Sequence, residues 1–474
     1  MIFHSLDFVV FFLVTVTVYW RLPYRAQNVL LVVASYFFYG YVHPWFLSLV
    51  FATTVLDYLA GRGMAARPER KGLFLGLSLA GNLGMLGFFK YFNFFADNVH
   101  AVLLPLGLDV PHPVLRVILP VGVSFYTFQE LSYTIDVYRG RLAARRNFLD
   151  FAAFVCFFPQ LVAGPIERAS RLLPQIERTR TFSWEHARQA TFLIIWGYFQ
   201  KLVIADNVGI IANKVFALEH PAFEVLWAGV FAFAIQIYAD FSAYSDIARG
   251  TARWLGIDVM RNFSRPYLAR GPVDFWHRWH ISLSSWFRDY VYIPLGGSRT
   301  GEWRTTGNVM MTFLLSGLWH GASWNYVLWG GYHGALLAAD RLVEPRLARR
   351  PALARALTPA RIVITFVLVG IGWLMFRETD LTYLVRDFGL SPLASRALDR
   401  QVGLYLFLLS FVYALPLVVH DVWAEVRSAR PRAAEWSWQT LPEIAWETAW
   451  CAALVGLMFV FRSRTSLDFI YFQF

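Results

Sequence analysis

Long apolar runs, separated by short arginine-bearing segments, recur along the whole chain of 474 residues. A helix satisfies its own backbone hydrogen bonds where water is absent, and roughly 20 mostly apolar helical residues cross a hydrocarbon core of about 30 Å. The runs predict spans near 6–22, 27–41, 45–60, 73–95, 114–138, 190–216, 225–248, 307–321, 324–340, 362–376, 403–420 and 445–461. Some are shorter than a full crossing, as tilted partners or half-spans would be. The first run has no basic stretch ahead of it and no small-residue cleavage site after it, so a retained span is expected there. The predicted fold class is an all-α integral membrane protein, a polytopic helical bundle of about 11–12 spans.

The charges alternate with the spans as the positive-inside rule requires. Arg62, Arg67, Arg70 and Lys71 fill one connection, and Arg139, Arg141, Arg145 and Arg146 another. Further clusters lie at Arg168–Arg188, Arg249–Arg270 and Arg341–Arg361, and at Arg427, Arg430 and Arg432. Segment 96–113 carries Asp97 and Asp109 but no Lys or Arg. Placing every basic cluster in the cytoplasm is consistent only if 148–166 enters and leaves on one face, so this segment is predicted to be re-entrant. Its Pro159 and the Gly164-Pro165 pair interrupt a helix, which is tolerated at membrane depth only inside protein or beside a water-filled cavity. The N-terminus is then expected outside the cytoplasm. The Ala-, Arg-, Leu- and Pro-rich stretch 343–361 is expected to lie on anionic lipid.

Composition fits this pattern. Hydrophobic residues make up 57% of the chain and charged residues 16%, against roughly a quarter charged in ordinary globular domains, so a soluble enzyme of this length is disfavoured. The formal charge of +11 would suit nucleic acid, but the cations sit in the connections between spans, and no nucleic-acid partner is expected. Cys156 and Cys451 lie in separate apolar runs and support neither a disulfide framework nor a metal site. No internal repeat is visible, which weakens an inverted-repeat transporter reading, and residues 1–474 are expected to form one polytopic domain.

Ionisable groups inside membrane segments are expensive and mark candidate sites. Of the 11 histidines, His4, His43, His100, His112, His186, His220 and His420 fall at span ends or in connections, while four lie between 277 and 333. Read as one helix, 274–290 places Trp276, Trp279, Leu283 and Trp286 on an apolar stripe, with His277, His280 and Ser284 beside it and Arg278, Ser282, Ser285 and Asp289 on a polar one. That pattern describes an interfacial amphipathic helix, either a simple anchor or one that directs its histidines at a partner. Downstream, His320 follows an apolar run between Gly317 and Gly321, which allow close backbone approach, so it is expected to line an internal cavity. His333 either shares that cavity or satisfies a backbone carbonyl. Asp240, Ser242, Tyr244, Ser245 and Asp246 form a polar run near the end of the span at 225–248.

A metal site is not expected, because one H-x-x-H and two isolated histidines with few acids nearby fall short of a clustered ligand set. Neither cysteine is marked as a nucleophile, and no phosphate-binding glycine loop stands in a strand-turn-helix context.

The string Asp274-Phe275-Trp276, Trp279-His280-Ile281-Ser282-Leu283, Trp286-Phe287-Arg288-Asp289-Tyr290, then Ile293-Pro294-Leu295-Gly296-Gly297 and Gly317-Leu318-Trp319-His320-Gly321 resembles the membrane-bound O-acyltransferase family. The resemblance is closest to its bacterial alginate O-acetyltransferase branch, which is related to the D-alanyl transfer protein of teichoic acid. It extends through 121–129, 158–166, 236–246 and 469–474. His277 departs from the branch pattern, where Arg is more usual.

The resemblance implies re-entrant and interfacial helices around a central tunnel, with His320 the essential histidine and His280 a supporting one. It implies acyl transfer from a thioester to an oxygen nucleophile, with His320 as general base and His280, Trp319 or Asn325 orienting the donor or stabilising the oxyanion. No bound cofactor is expected; the donor would be acetyl-CoA or a phosphopantetheine carrier. Arg261, Arg265, Arg270, Arg278 and Arg288 would either engage donor phosphates or only set orientation and bind lipid. Asp240 and its polar neighbours would line the donor side. The implied location is a bacterial cytoplasmic membrane, and the implied partners are membrane lipid, a periplasmic or extracellular SGNH-type acetyltransferase and a polysaccharide acceptor. The competing class is a non-enzymatic transporter or exporter whose buried histidines relay protons.

Overall fold

The computed structural model describes residues 1–41, 43–108, 114–115, 119–299, 301–428, 441–465 and 467–470, and every regular element among them is helical. Asp109, His112, Arg430, Arg432 and the last four residues of the 469–474 motif lie outside the described residues. The chain divides into two compact units, 1–191 with 247–260, and 192–246 with 261–474.

The first unit contains α1 (Leu6–Tyr19), α2 (Tyr24–Gly40), α3 (Phe46–Ala66), α4 (Lys71–Leu86), α5 (Phe92–Leu103), α6 (Val123–Tyr138), α7 (Phe148–Cys156), α8 (Phe158–Leu161), α9 (Ala169–Ile176) and the start of α10 (Trp184–Phe199). Among the described residues of the span expected at 114–138, helix runs from Val123 to Tyr138. Gly122 ahead of it has φ 81°, and a Cβ there would stand 2.6 Å from the Leu161 carbonyl oxygen, so both the turn and the close approach require glycine. In 148–166 the helix breaks at Phe157, and Pro159 sits in the first turn of α8. This corrects the expected role of that proline: it opens the second short helix, where a missing N–H costs nothing. Residues 150–169 are buried throughout, so this irregular backbone is enclosed by protein.

The second unit contains the rest of α10, a π-helical turn Gln200–Ala205, α11 (Asp206–Phe216), most of α12 (Phe223–Trp254), α13 (Pro272–Arg278), α14 (Ile281–Phe287), a π-helical turn Arg288–Tyr292, α15 (Glu302–His320), α16 (Trp324–Ala348), α17 (Pro351–Ala356), α18 (Thr358–Arg377), α19 (Leu381–Phe388), α20 (Ala397–Ser428) and α21 (Leu441–Phe461). All twelve predicted runs contain helix. Five continuous helical stretches among the described residues are long and apolar enough to cross a membrane: Pro68–Leu106, Trp184–Phe216, Phe223–Trp254, Thr358–Arg377 and Ala397–Ser428. Val363, Ile364 and Val367 on α18 and Leu404, Leu408, Val412 and Val419 on α20 are exposed, an apolar face suited to lipid and not to water.

Two small-residue contacts fix the α15–α16 hairpin. A Cβ on Gly317 would overlap the Tyr326 carbonyl oxygen, and one on Gly330 would overlap that of Phe313. The two backbones therefore touch, the packing mode that bare helices use in a membrane. Replacement of Gly330 by Ala is expected to destabilise the protein by about 1–3 kcal/mol, the usual cost of overpacking, read as a lower thermal midpoint in detergent. An unchanged midpoint would show that the hairpin can spread at no cost.

Candidate active site

The segment expected to form one amphipathic helix over 274–290 is interrupted at its centre. Helix α13 ends at Arg278, Trp279 is extended, and His280 takes a left-handed conformation with φ 42° and ψ 52° before α14 begins. A non-glycine residue in that region stores strain of about 1–3 kcal/mol and persists only where its surroundings over-determine it. Here they do. Asn262 accepts from the Ile281 N–H (2.9 Å) through its carbonyl and from the Ser282 hydroxyl (2.6 Å) through Oδ1, while its Nδ2 donates to Ser245 Oγ (3.0 Å). Ser264 N–H donates to the Arg278 carbonyl (2.9 Å). The break overturns the stripe that grouped His277 with His280: His277 is exposed and His280 is fully buried. Trp276, Trp279, Leu283 and Trp286 are nonetheless all buried, because the bend wraps them inward from two short helices.

Asn262 lay outside the sequence-derived candidates, as nothing in a lone Asn between basic residues announces a clamp. Asn262→Ala is expected to release His280 from its left-handed geometry, with a large loss of activity and a smaller loss of stability, about 1–3 kcal/mol for buried partners left unpaired. Activity retained in a folded Asn262→Ala protein would show that His280 needs no such support.

His320 is the last residue of α15, 7% exposed, immediately before an extended Gly321. Its imidazole lies against Trp319 (5.0 Å between ring centroids), Trp329 (5.1 Å) and Phe376 (5.3 Å). Trp319 in turn touches His280 (6.2 Å), which also meets Phe241 (4.7 Å). Trp329 touches His333 (4.9 Å), and His333 also meets Trp276 (5.2 Å) and the backbone of Gly372. Three histidines predicted from the sequence are thus brought into one continuous aromatic chain, in the order His280, Trp319, His320, Trp329, His333.

Asn325 and Trp329 each carry a buried polar atom without a hydrogen-bond partner. Asn325 is fully buried and donates from Nδ2 to the Met375 carbonyl (3.2 Å), which fixes its amide orientation; Oδ1 has no hydrogen-bond partner. An amide held this way offers an acceptor, which suits a hydroxyl-bearing ligand, and not the oxyanion donor expected from the sequence. The buried Trp329 Nε1–H lacks a hydrogen-bond partner and is a donor beside the imidazole. Trp329 was not a sequence candidate, since one tryptophan among several in this stretch carries no distinguishing signal.

The remaining candidates stand apart. Asp240 accepts from Lys201 Nζ (2.9 Å), which also reaches Asp206 (3.0 Å) and the Leu467 carbonyl (2.9 Å), and its second oxygen accepts from the Ile470 N–H (2.7 Å). This ion triad holds the C-terminal segment, where Phe469 packs on Phe241 and Tyr244. Arg278 is bound by Asp274 (2.8 Å) and Glu425 (3.1 Å), and Arg265 by the same Glu425 (2.7 Å). Arg288 is exposed and paired with its neighbour Asp289 (2.8 Å). Each of these arginines has a carboxylate partner. Among the described residues no group of three or more His, Cys, Asp or Glu side chains is arranged to hold a metal ion.

The family model of MBOAT, the membrane-bound O-acyltransferase family, matches residues 140–379, and full-length relatives agree with it. The probable alginate O-acetylase AlgI of Pseudomonas putida is 37% identical over 495 residues, covering 100% of both chains. The chain belongs to the membrane-bound O-acyltransferase family. The probable alginate O-acetylase AlgI of Pseudomonas aeruginosa is 41% identical over 387 residues, 80% of this chain and 73% of that one. The peptidoglycan O-acetyltransferase of Helicobacter pylori is 31% identical over 490 residues, 94% and 91% of the two chains. This O-acyltransferase therefore carries its histidine and tryptophan chain within the segment that defines the family.

Proposed function

We propose that the protein takes an acetyl group from a cytoplasmic thioester, acetyl-CoA or a phosphopantetheine carrier, and passes it across a bacterial cytoplasmic membrane for O-acetylation of an extracytoplasmic polysaccharide such as alginate. The observation that carries the reading is His320, buried at the end of α15 between Trp319, Trp329 and Phe376, with an unpartnered indole donor on Trp329 beside it. The similarity to alginate O-acetylases of Pseudomonas supports the polymer class.

A hydroxyl is a weak nucleophile until its proton is removed as it attacks, and imidazole is suited to that transfer near neutrality. His320 takes the proton of the acceptor hydroxyl as its oxygen bonds to the thioester carbonyl carbon. The negative charge that forms on the carbonyl oxygen meets the Trp329 Nε1–H. Collapse breaks the carbon–sulfur bond, and the thiolate leaves with the proton held by His320. Asn325 Oδ1 accepts from a second donor group of the acceptor. His280, held in a strained conformation and separated from His320 by Trp319, orients the thioester. A periplasmic or extracellular SGNH-type acetyltransferase completes delivery to the polymer, with the N-terminus of this chain on that same side.

The test is the ester-linked acetyl content of the exported polysaccharide in a producing strain whose own gene is replaced by wild type or by His320→Ala. Acetylation restored by wild type alone supports the proposal. Equal acetylation with both would overturn the assignment of His320, and no dependence on the gene would overturn the function.

A further inference from the structure

A cavity of about 430 Å³ opens between α12, α18 and α20. Its depth is apolar, with Phe231 packed against Phe366 (6.0 Å between ring centroids) and Phe407 (4.4 Å), and with Leu404 beside them. Its polar groups gather at one end. Glu224 and Arg400 stand in the first turns of α12 and α20, and Trp227 one turn further in. Helix ends of this kind mark the level of the membrane interface, and the apolar depth lies beneath it. Helix α18 divides this cavity from the candidate active site: Phe366, Val367 and Gly370 face the cavity, while Gly372 and Phe376 meet His333 and His320.

The polar end is incompletely satisfied. Glu224 Oε2 and Trp227 Nε1 are buried and have no hydrogen-bond partner. Arg400 and Glu224 are 3.7 Å apart, long for an ion pair, and the arginine is largely exposed, with one further contact to the Ser395 carbonyl (3.2 Å). A cation and an anion side by side, with an indole donor below them and an aromatic slot beneath that, match one amphiphile group by group. We propose that this cavity binds a single acyl chain of an aminophospholipid, phosphatidylethanolamine. Its phosphate meets Arg400, its ammonium meets Glu224 and a glycerol-ester oxygen accepts from Trp227 Nε1–H. The chain fills the slot between Phe231, Phe366 and Phe407. The occupant is a lipid because the slot opens on the exposed apolar faces of α18 and α20, where Val367, Leu404 and Phe407 are all exposed and acyl chains are the surrounding solvent.

The test is native mass spectrometry of the full chain in detergent, titrated with 1-palmitoyl-2-oleoyl phosphatidylethanolamine or with the phosphatidylglycerol of the same chains. Wild type is expected to take up one phosphatidylethanolamine saturably and to bind phosphatidylglycerol several-fold more weakly. Gly370→Leu points new methyl groups into the slot, where a Cβ meets only Val230 at 3.9 Å, and is expected to weaken binding about tenfold through lost methylene burial. Val367→Trp fills the same space from an exposed position and guards against misfolding of the first variant. Arg400→Gln is expected to weaken both lipids, and Glu224→Gln to narrow the difference between them. Unchanged affinity in both slot-filling variants would overturn the acyl-chain assignment, and equal affinity of wild type for the two lipids would overturn the headgroup assignment.

Discussion

Replacing His320 with Ala is expected to lower the acyl-transfer rate by at least about 10²–10⁴-fold, the usual contribution of a positioned general base, while the protein still inserts and folds. Stability should fall by about 1–3 kcal/mol without loss of the fold, because the imidazole is buried against Trp319, Trp329 and Phe376 and Ala leaves a cavity there. His320→Gln keeps the volume and a hydrogen-bonding edge but cannot carry the proton, so it should be as inactive as Ala. The check is a pair of measurements on each variant, turnover with an acetyl thioester donor and thermal unfolding in detergent. A Gln variant near wild-type activity would mean that residue 320 only binds, and the proton would have to leave by another group.

The largest expected effect on stability belongs to Lys201. Its ammonium bridges Asp206 and Asp240 in a buried triad and ties both to the C-terminal segment. Lys201→Met would leave two buried carboxylates facing one another without a cation. Breaking a buried pair in this way costs about 3–5 kcal/mol, more than deletion of the whole set. The expected result is a protein that is poorly recovered or unfolds well below wild type, partly rescued when Asp240→Asn is added. Because Phe469 rests on Phe241, and Phe241 on His280, activity should fall along with stability. A Lys201→Met protein with a wild-type unfolding midpoint would show that the carboxylates are neutralised by another route.

The helices were legible because membrane insertion imposes a simple requirement, long apolar runs broken by cations, and all twelve runs contain helix. Gly317 and Gly321 beside His320 correctly announced close backbone approach, now seen where Gly317 meets the Tyr326 carbonyl. The periodic reading failed at 274–290 because a left-handed residue costs one set of dihedral angles and leaves no trace in hydrophobic spacing. Trp276 and Trp279 are buried in either geometry, so the stripe could not reveal the bend at His280. The signal that finds such a bend is long-range, the clamp by Asn262 and Ser245, and no local window contains it. Arg278 and Asp240 illustrate the converse: each carries the charge that a substrate site needs, and each spends it on a protein partner, Glu425 or Lys201.

The role proposed for His320 is to drive acyl transfer from a thioester. Its most direct test is transfer of radiolabelled acetyl from acetyl-CoA by the purified protein in proteoliposomes, scored on an SGNH-type acceptor protein or polysaccharide, for wild type and His320→Ala side by side. Label transfer is expected from wild type, and at most about 1% of that rate from a His320→Ala protein that still unfolds cooperatively. Equal transfer by the two proteins would contradict it.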